Sequence, residues 1–488
     1  MSARWVVGRI SLSAILLVIA APAGPSELSA GPSSAPVQAT FGSNINLSVS
    51  SGSRGANQRE TTVAVNPTNP DNMVEGNIDQ LPSVGNALVC SFSFTTDGGR
   101  TWTFGGAAPT EKSDDVAVDP WLTADGDGNF YYSYMDSPVG CGQSLLGTTD
   151  LVVAKSTDGG RTFPTFSIAL AEAQVGKDHF SPNKDAIAAD AWPASPFRGR
   201  VYVAFTNLNY SAGGYQIAVV VSKDGGQTWS RPAILGPLAD FSTRGLFGAL
   251  PVVGPDGSVY VFWADFLFNT GPMSIMFAKS TDGGSKWSKP SAVASNLPSP
   301  SFFRLKNSDP KWDTTPQYGI EANSLPTAAV ATDGTLYIAW ADFPSGRCVN
   351  DQTSFEPCEN ADVRMSLSGD QGKSWSLPVK VSDETGGSDQ FYPAIAVHPG
   401  GLLSLSWQDK RLDPLNENFD TYYTNTRDGA TFLPNVRVSD ATSLAGNTAT
   451  LDFDYNSMAV GPDTIFPVWC DLRTGNGDIY TSVGRLSR

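Results

Sequence analysis

Short runs of small and apolar residues, broken by Gly, Asp and Pro clusters, recur along the whole chain. A small-residue run opens each unit: TTVAV (61–65), DDVAV (114–118), PTAAV (326–330), PAIAV (393–397) and NSMAV (456–460). A Gly-rich turn leads to an aromatic run, as in DGSVYVFW (256–263) and DGTLYIAW (333–340). A third run ends in an Asp-Gly phrase, and a fourth leaves it, as in PVKVSD (378–383) and NVRVSD (435–440). Alternating β-branched and aromatic residues between such turns predict antiparallel strands. Four strands per unit, repeated at a near-constant period, predict an all-β fold, a single β-propeller.

The Asp-Gly phrase occurs as TTDGGRTW (95–102), STDGGRTF (156–163), SKDGGQTW (222–229), STDGGSKW (280–287), SGDQGKSW (368–375) and a degenerate TRDGATF (426–432). Its aspartates lie 61, 66, 58, 88 and 58 residues apart, a period near sixty with one insertion. First strands near 61, 114, 185, 249, 326, 393 and 456 give seven four-stranded blades, with six as the alternative count. The seventh unit ends after its third strand, GDIYTSVGRL (477–486), while INLSVSSG (45–52) resembles a fourth strand. The N-terminal strand is therefore expected to complete the last blade, closing the ring and removing its open edges. In each phrase the glycines permit positive φ in a tight turn, Asp and Ser/Thr accept backbone N–H groups, and Trp or Phe plugs the space between sheets. A feature shared by nearly every blade is scaffold rather than a single active site.

Composition narrows the partners. Acidic residues outnumber basic ones 48 to 32, a formal net charge of −16, so no nucleic-acid partner is expected. With two histidines, His179 and His398, a histidine-built metal centre is disfavoured. MSARWVVGRISLSAILLVIAAPAG opens with Arg4 and Arg9, an apolar run from Ile10 to Ala21 and a small-x-small site, the pattern of a signal peptide over 1–23. That run is short for a membrane span. Residues 24–40 read as a flexible leader and 41–488 as the propeller, secreted to an extracellular or periplasmic space and expected to be monomeric. Cys348 and Cys358 flank a short loop and suit a disulfide, Cys90 and Cys141 either pair or do not, and Cys470 beside Trp469 reads as a buried small hydrophobe.

The repeated phrase is identified as the Asp-box, or BNR repeat, and the chain resembles the sialidase-like β-propellers. Asp-box propellers include sialidases, other glycosidases and non-catalytic binding proteins, so the resemblance implies either a glycosidase acting on terminal anionic sugars or a glycan- or protein-binding module. In a propeller, loops into the first strand and out of the second share one face around the central channel. Second strands end in Tyr134-Met135-Asp136, Phe205-Thr206-Asn207, Trp263-Ala264-Asp265, Trp340-Ala341-Asp342, Trp407-Gln408-Asp409 and Trp469-Cys470-Asp471, a ring of Asp or Asn expected to cap the following loops. Blade 1 departs from it with Glu75-Gly76-Asn77-Ile78-Asp79.

Sialidases begin their first blade with a Phe/Tyr-Arg-Ile-Pro motif whose arginine joins a triad on the substrate carboxylate. Arg59 in QRETTVAV occupies the matching position, with Thr61 in place of the proline. Arg411 and Arg473 follow the second strands of blades 6 and 7, neighbours of blade 1 in a closed ring, and complete a candidate substrate-binding triad by position rather than by motif. The alternative is that they pair with Asp409 and Asp471. Tyr455-Asn456-Ser457-Met458-Ala459-Val460-Gly461-Pro462-Asp463 looks like the family's nucleophile segment, which implies Tyr455 as nucleophile. Asp79 fits the place of the family's acid/base aspartate, and Glu321 that of the tyrosine's base, since a phenol is a poor nucleophile unaided.

No cofactor is expected. Asp125, Asp127 and Asn129 in DGDGN imitate a structural calcium loop, but other blades hold an ordinary Asp-Gly turn there. Lys177, Asp178, His179, Lys184 and Asp185 crowd the approach to blade 3 and read as solvated loop charge. The insertion 296–324 carries Phe302, Phe303, Trp312 and Tyr318, which suit either stacking on sugar rings or packing on the scaffold.

Overall fold

Each unit closes into its own antiparallel sheet in the computed structural model, which describes residues 37–51, 57–81, 87–111, 116–137, 149–175, 178–267, 272–297, 302–305, 319–343, 360–445 and 450–487. Blade 1 runs Arg59–Val65, Met73–Leu81, Ala87–Thr95 and Thr103–Ala107, each strand paired with the next. The first strands of blades 2 to 7 are Val116–Ala124, Pro182–Ala189, Arg244–Val253, Thr327–Val330, Gln390–Val397 and Ser457–Val460. Seven sheets in a ring make a seven-bladed propeller. Outer strands shrink to two residues in blades 3, 5 and 6, which leaves little edge to pair with another chain.

The seventh blade closes on the N-terminal segment at two places. Ile45–Asn46 pairs with the third strand, Asp478–Thr481, as expected, and the chain then enters a 3-10 turn, Ser48–Ser51, instead of extending the strand to 52. Ala39–Phe41, ahead of the expected boundary at 41, pairs with Gly484–Leu486, which turns away from Asp478–Thr481 to reach Thr464 and Ile465. The signal-peptide reading of 1–23 and most of the leader lie outside the described residues.

The Asp-boxes behave as one device. Asp97 Oδ1 accepts the N–H groups of Arg100 and Thr101 and its Oδ2 accepts the Thr101 hydroxyl, while Gly98 and Gly99 take φ of 73° and 78°. The same bonds recur around Asp158, Asp224 and Asp370. Donors crowding the carboxylate hold Asp224, Asp370 and Asp428 down at about 2. Both oxygens of Asp97, Asp158, Asp224 and Asp370 are engaged within the turn.

First strands carry a second repeated distortion. Pairing slips between Arg59 and Thr62, Val118 and Trp121, Asn183 and Ala186, Phe247 and Leu250, and Phe391 and Ala394. At each slip one residue is left-handed: Glu60 (φ 53°), Asp119 (55°), Lys184 (48°), Gly248 (72°) and Tyr392 (50°). Asp454, just before the first strand of blade 7, has φ 44°. Only Gly248 adopts this conformation freely; the other bulges re-aim a side chain at a cost of about 1–3 kcal/mol each. They lie on the innermost strands, so the re-aimed side chains meet on the propeller axis.

Gly319–Asn323, inside the 296–324 insertion, pairs antiparallel with Phe302–Leu305 and parallel with Thr450–Asp452, the approach to blade 7. Asn323 Nδ2 then donates to the Asp454 carbonyl at 2.8 Å. The approaches to blades 5 and 7 are thus tied together past blade 6. Trp312 and Tyr318 lie outside the described residues.

Candidate functional site at the channel

The bulges assemble a charged cluster on the axis. Lys184 Nζ pairs with Glu60 Oε1 at 3.1 Å, Asp119 Oδ1 at 3.2 Å and Asp454 Oδ2, so one ammonium from blade 3 joins carboxylates from blades 1, 2 and 7. Beside it Asp185 is 3% exposed, and neither of its oxygens has a hydrogen-bond partner. Burial pushes its carboxyl well above the ordinary range; nearby Asp119 adds to this, while Ser133 and Lys184 oppose it. Burial therefore favours the neutral form of Asp185. Lys184 and Asp185 belong to the channel and are not the solvated loop charge expected from their sequence neighbourhood.

Tyr455 completes the cluster. It is half-buried, its ring lies 4.9 Å from that of Trp121, and its hydroxyl donates to the Pro120 carbonyl at 2.8 Å. Glu60 Oε2 stands 3.5 Å from the same hydroxyl. Burial first, then Glu60, Asp119 and Asp185, raise the phenol well above its usual range. Trp121, Lys184, Asp185, Tyr392, Asp454 and Tyr455 all line an axial cavity of about 40 Å³. That volume holds a few water molecules.

The other candidates fall elsewhere. Arg411 gives Nε and Nη2 to Asp409 at 3.0 and 2.8 Å and Nη1 to Asp383 at 2.6 Å, with its guanidinium 4.3 Å from the Tyr422 ring centre. Arg473 repeats this one blade on, pairing with Asp471 and Asp440 and lying 4.3 Å from the Tyr480 ring centre. Both are clamps between a second strand and an outer strand, so the three arginines do not converge as free guanidinium groups. The cause is the ring aspartate two residues before each arginine, whose backbone N–H it also caps at 2.9 Å. Lys410 is fully buried against Asp389 at 3.2 Å.

Arg59 differs. It is half-buried, its Nε is buried without a partner, and it has no ion pair among the described residues. Asp79, 0% exposed, accepts from Gln58 Nε2 at 2.8 Å and from Ser91 at 3.3 Å. Glu321 pairs through its backbone with Arg304 and Asp452, and its side chain lies outside the described part. Glu60 and Asp185 were missed as site residues. The sequence carried no common signal for them: Glu60 precedes TTVAV (61–65), whereas Asp119 follows DDVAV (114–118), and only the slips in strand register align them.

The remaining expectations resolve simply. Asp125 accepts from the N–H groups of Asp127 and Asn129, from Asn129 Nδ2 and from Tyr131, which occupies its carboxylate as a turn cap. Cys90 and Cys470 are buried free thiols; Cys141, Cys348 and Cys358 lie outside the described residues. No helix among the described residues is long and apolar enough to cross a membrane.

Residues 220–231 match the BNR/Asp-box repeat family. The seven-bladed fold and this repeat make the chain an Asp-box, BNR-repeat β-propeller. Among curated proteins, none matches it in sequence. Solved structures similar to it include a protein of unknown function from Dyadobacter fermentans (11% identity, 92% of this chain and 99% of that one, TM-score 0.47). Also similar are the GH93 α-L-arabinofuranosidase of Fusarium graminearum (14%, 76% and 93%, TM-score 0.46) and the Hadza microbial sialidase Hz136 (14%, 82% and 74%, TM-score 0.46). At these identities the likeness concerns the fold alone.

Proposed function

We propose that this protein is an exported, glycan-directed propeller that hydrolyses a terminal acidic sugar at its channel face, in the manner of an exo-sialidase. Tyr455 Oη attacks the anomeric carbon as its proton passes to Glu60, and Asp185 protonates the departing glycosidic oxygen. Water then releases the sugar from Tyr455, with Asp185 taking the proton back. Arg59, the unpaired guanidinium, faces the sugar carboxylate. This moves the acid/base role from Asp79, held in its own hydrogen bonds, to Asp185, and the base from Glu321 to Glu60. The observation that carries the reading is a phenol 3.5 Å from the ion-paired Glu60, with the buried Asp185 lining the same cavity.

A second reading, a non-catalytic module that binds glycan or protein across the same face, is favoured by the water-sized cavity. Ligand pockets for sugars are far larger than 40 Å³. The test is release of a fluorophore from an α-linked sialic acid glycoside, with glucuronide and arabinofuranoside analogues alongside. Turnover that falls about a hundredfold in Arg59→Ala supports hydrolysis anchored on the anion. A folded protein that turns over none of them, yet is retained on immobilised glycans, establishes the second reading.

A further inference from the structure

The Trp-x-Asp ring has one member that breaks its own rule. Trp340, Trp407 and Trp469 each donate their indole N–H to the aspartate two residues on, at 3.2, 2.8 and 2.9 Å. Trp263, in the second strand of blade 4 (Val259–Leu267), is just as buried at 2% exposed, yet its Nε1 has no partner. Arg244, at the start of blade 4's first strand, holds Asp265, as Arg411 holds Asp409 without displacing Trp407. It takes Asp265 at both oxygens, Nε to Oδ1 at 2.6 Å and Nη2 to Oδ2. A buried N–H left without an acceptor is rare in a folded protein.

This frustrated position borders a groove of about 640 Å³ between blades 3 and 4. Its floor is apolar, with Ile217, Leu246, Met276 and Trp287 beside Trp263, and its polar rim holds Arg244, Asp265 and Lys289. The size is that of a small-molecule site, unlike the axial cavity. The Arg244 side chain is 40% exposed, and Lys289 is exposed with no ion pair among the described residues. With Asp265 neutralised by Arg244, the rim carries a positive surplus on a protein of net charge −16. Apolar floor and cationic rim together call for a ring that bears an anion.

We propose that this groove binds a ring-bearing carboxylate. The ring lies on the apolar floor against Trp263, and the carboxylate meets Arg244 and Lys289 at the rim. The groove shares no residue with the channel cluster. Acidic sugars and aromatic acids both present this chemistry.

The test uses full-length protein labelled with ¹⁵N-tryptophan and titrated with D-glucuronate and phenylacetate, each against its neutral counterpart, methyl glucoside and phenylacetamide. The expected result is saturable binding of at least one carboxylate, about tenfold tighter than its neutral partner. The Trp263 indole N–H, assigned through Trp263→Phe, shifts in step because its ring lines the groove. The arm that binds identifies the source of the ligand. Arg244→Gln weakens binding about tenfold, and Lys289→Gln, at an exposed position that folding does not need, weakens it about threefold. The proposal is overturned if neither carboxylate binds better than its neutral partner. It is also overturned if the Trp263 N–H stays unmoved in the bound protein, or if both variants bind as the wild type does.

Discussion

Replacing Lys184 with Met destabilises the propeller at pH 7 by about 3–5 kcal/mol, the cost of stripping the partner from buried charges. Lys184 is the ammonium that Glu60, Asp119 and Asp454 share, its side chain is 17% exposed, and those of the carboxylates are 6% or less. Met keeps the length and the left-handed backbone of the bulge, so the change isolates the charge. Without the ammonium, three carboxylates from blades 1, 2 and 7 face one another on the axis. Urea unfolding at pH 7 measures the loss. A loss below about 1 kcal/mol removes the cluster from the account of stability.

Glu75→Gln works in the opposite direction. Glu75 is 1% exposed on the second strand of blade 1 and accepts the Thr61 hydroxyl at 3.1 Å. Burial pushes its carboxyl up to about 8; the Thr61 bond opposes this and Asp79 adds to it. The folded value lies above the unfolded one, near 4.3, so the native state binds the extra proton between the two. Stability contributed by this group is complete below about pH 4.5 and declines as pH rises towards 8, by about 1.4 kcal/mol per unit. Gln keeps the acceptor for Thr61 and has nothing to ionise. The variant is expected to be more stable than wild type at pH 7, on the order of 3 kcal/mol. The difference between the two stability–pH profiles reads this directly, and parallel profiles contradict it.

The fold was legible because a propeller repeats its physics. TTVAV-like runs, aromatic second strands and Asp-box turns each specify one strand or hairpin, and seven copies average out local ambiguity. Even the closure by Ile45–Asn46 followed from a missing fourth strand in blade 7. The tie between Gly319–Asn323 and Thr450–Asp452 was not legible, because parallel pairing across 131 residues leaves no local pattern.

The candidate site was legible only in part. Tyr455 lines the axial cavity, but chain position alone does not tell an unpaired arginine such as Arg59 from a clamped one. Arg411 and Arg473 are decided by Asp383 and Asp440, contributed by the neighbouring fourth-strand segments. Lys184 and Asp185 looked like loop charge because their neighbours Lys177, Asp178 and His179 are polar. Only the bulge, which turns Lys184 inward with φ 48°, reveals them as axial residues.

The central claim is that the axial cluster around Tyr455 serves function rather than scaffold, and Tyr455→Phe tests it most directly. Phe keeps the ring beside Trp121 and loses only the hydroxyl that meets Pro120 and Glu60. Unfolding midpoint and glycoside turnover are to be measured on the same preparation. The account predicts a stability change within about 1.5 kcal/mol, the size of one hydrogen bond, and turnover reduced by at least about a thousandfold. Turnover that persists at the wild-type rate in a stable variant contradicts it.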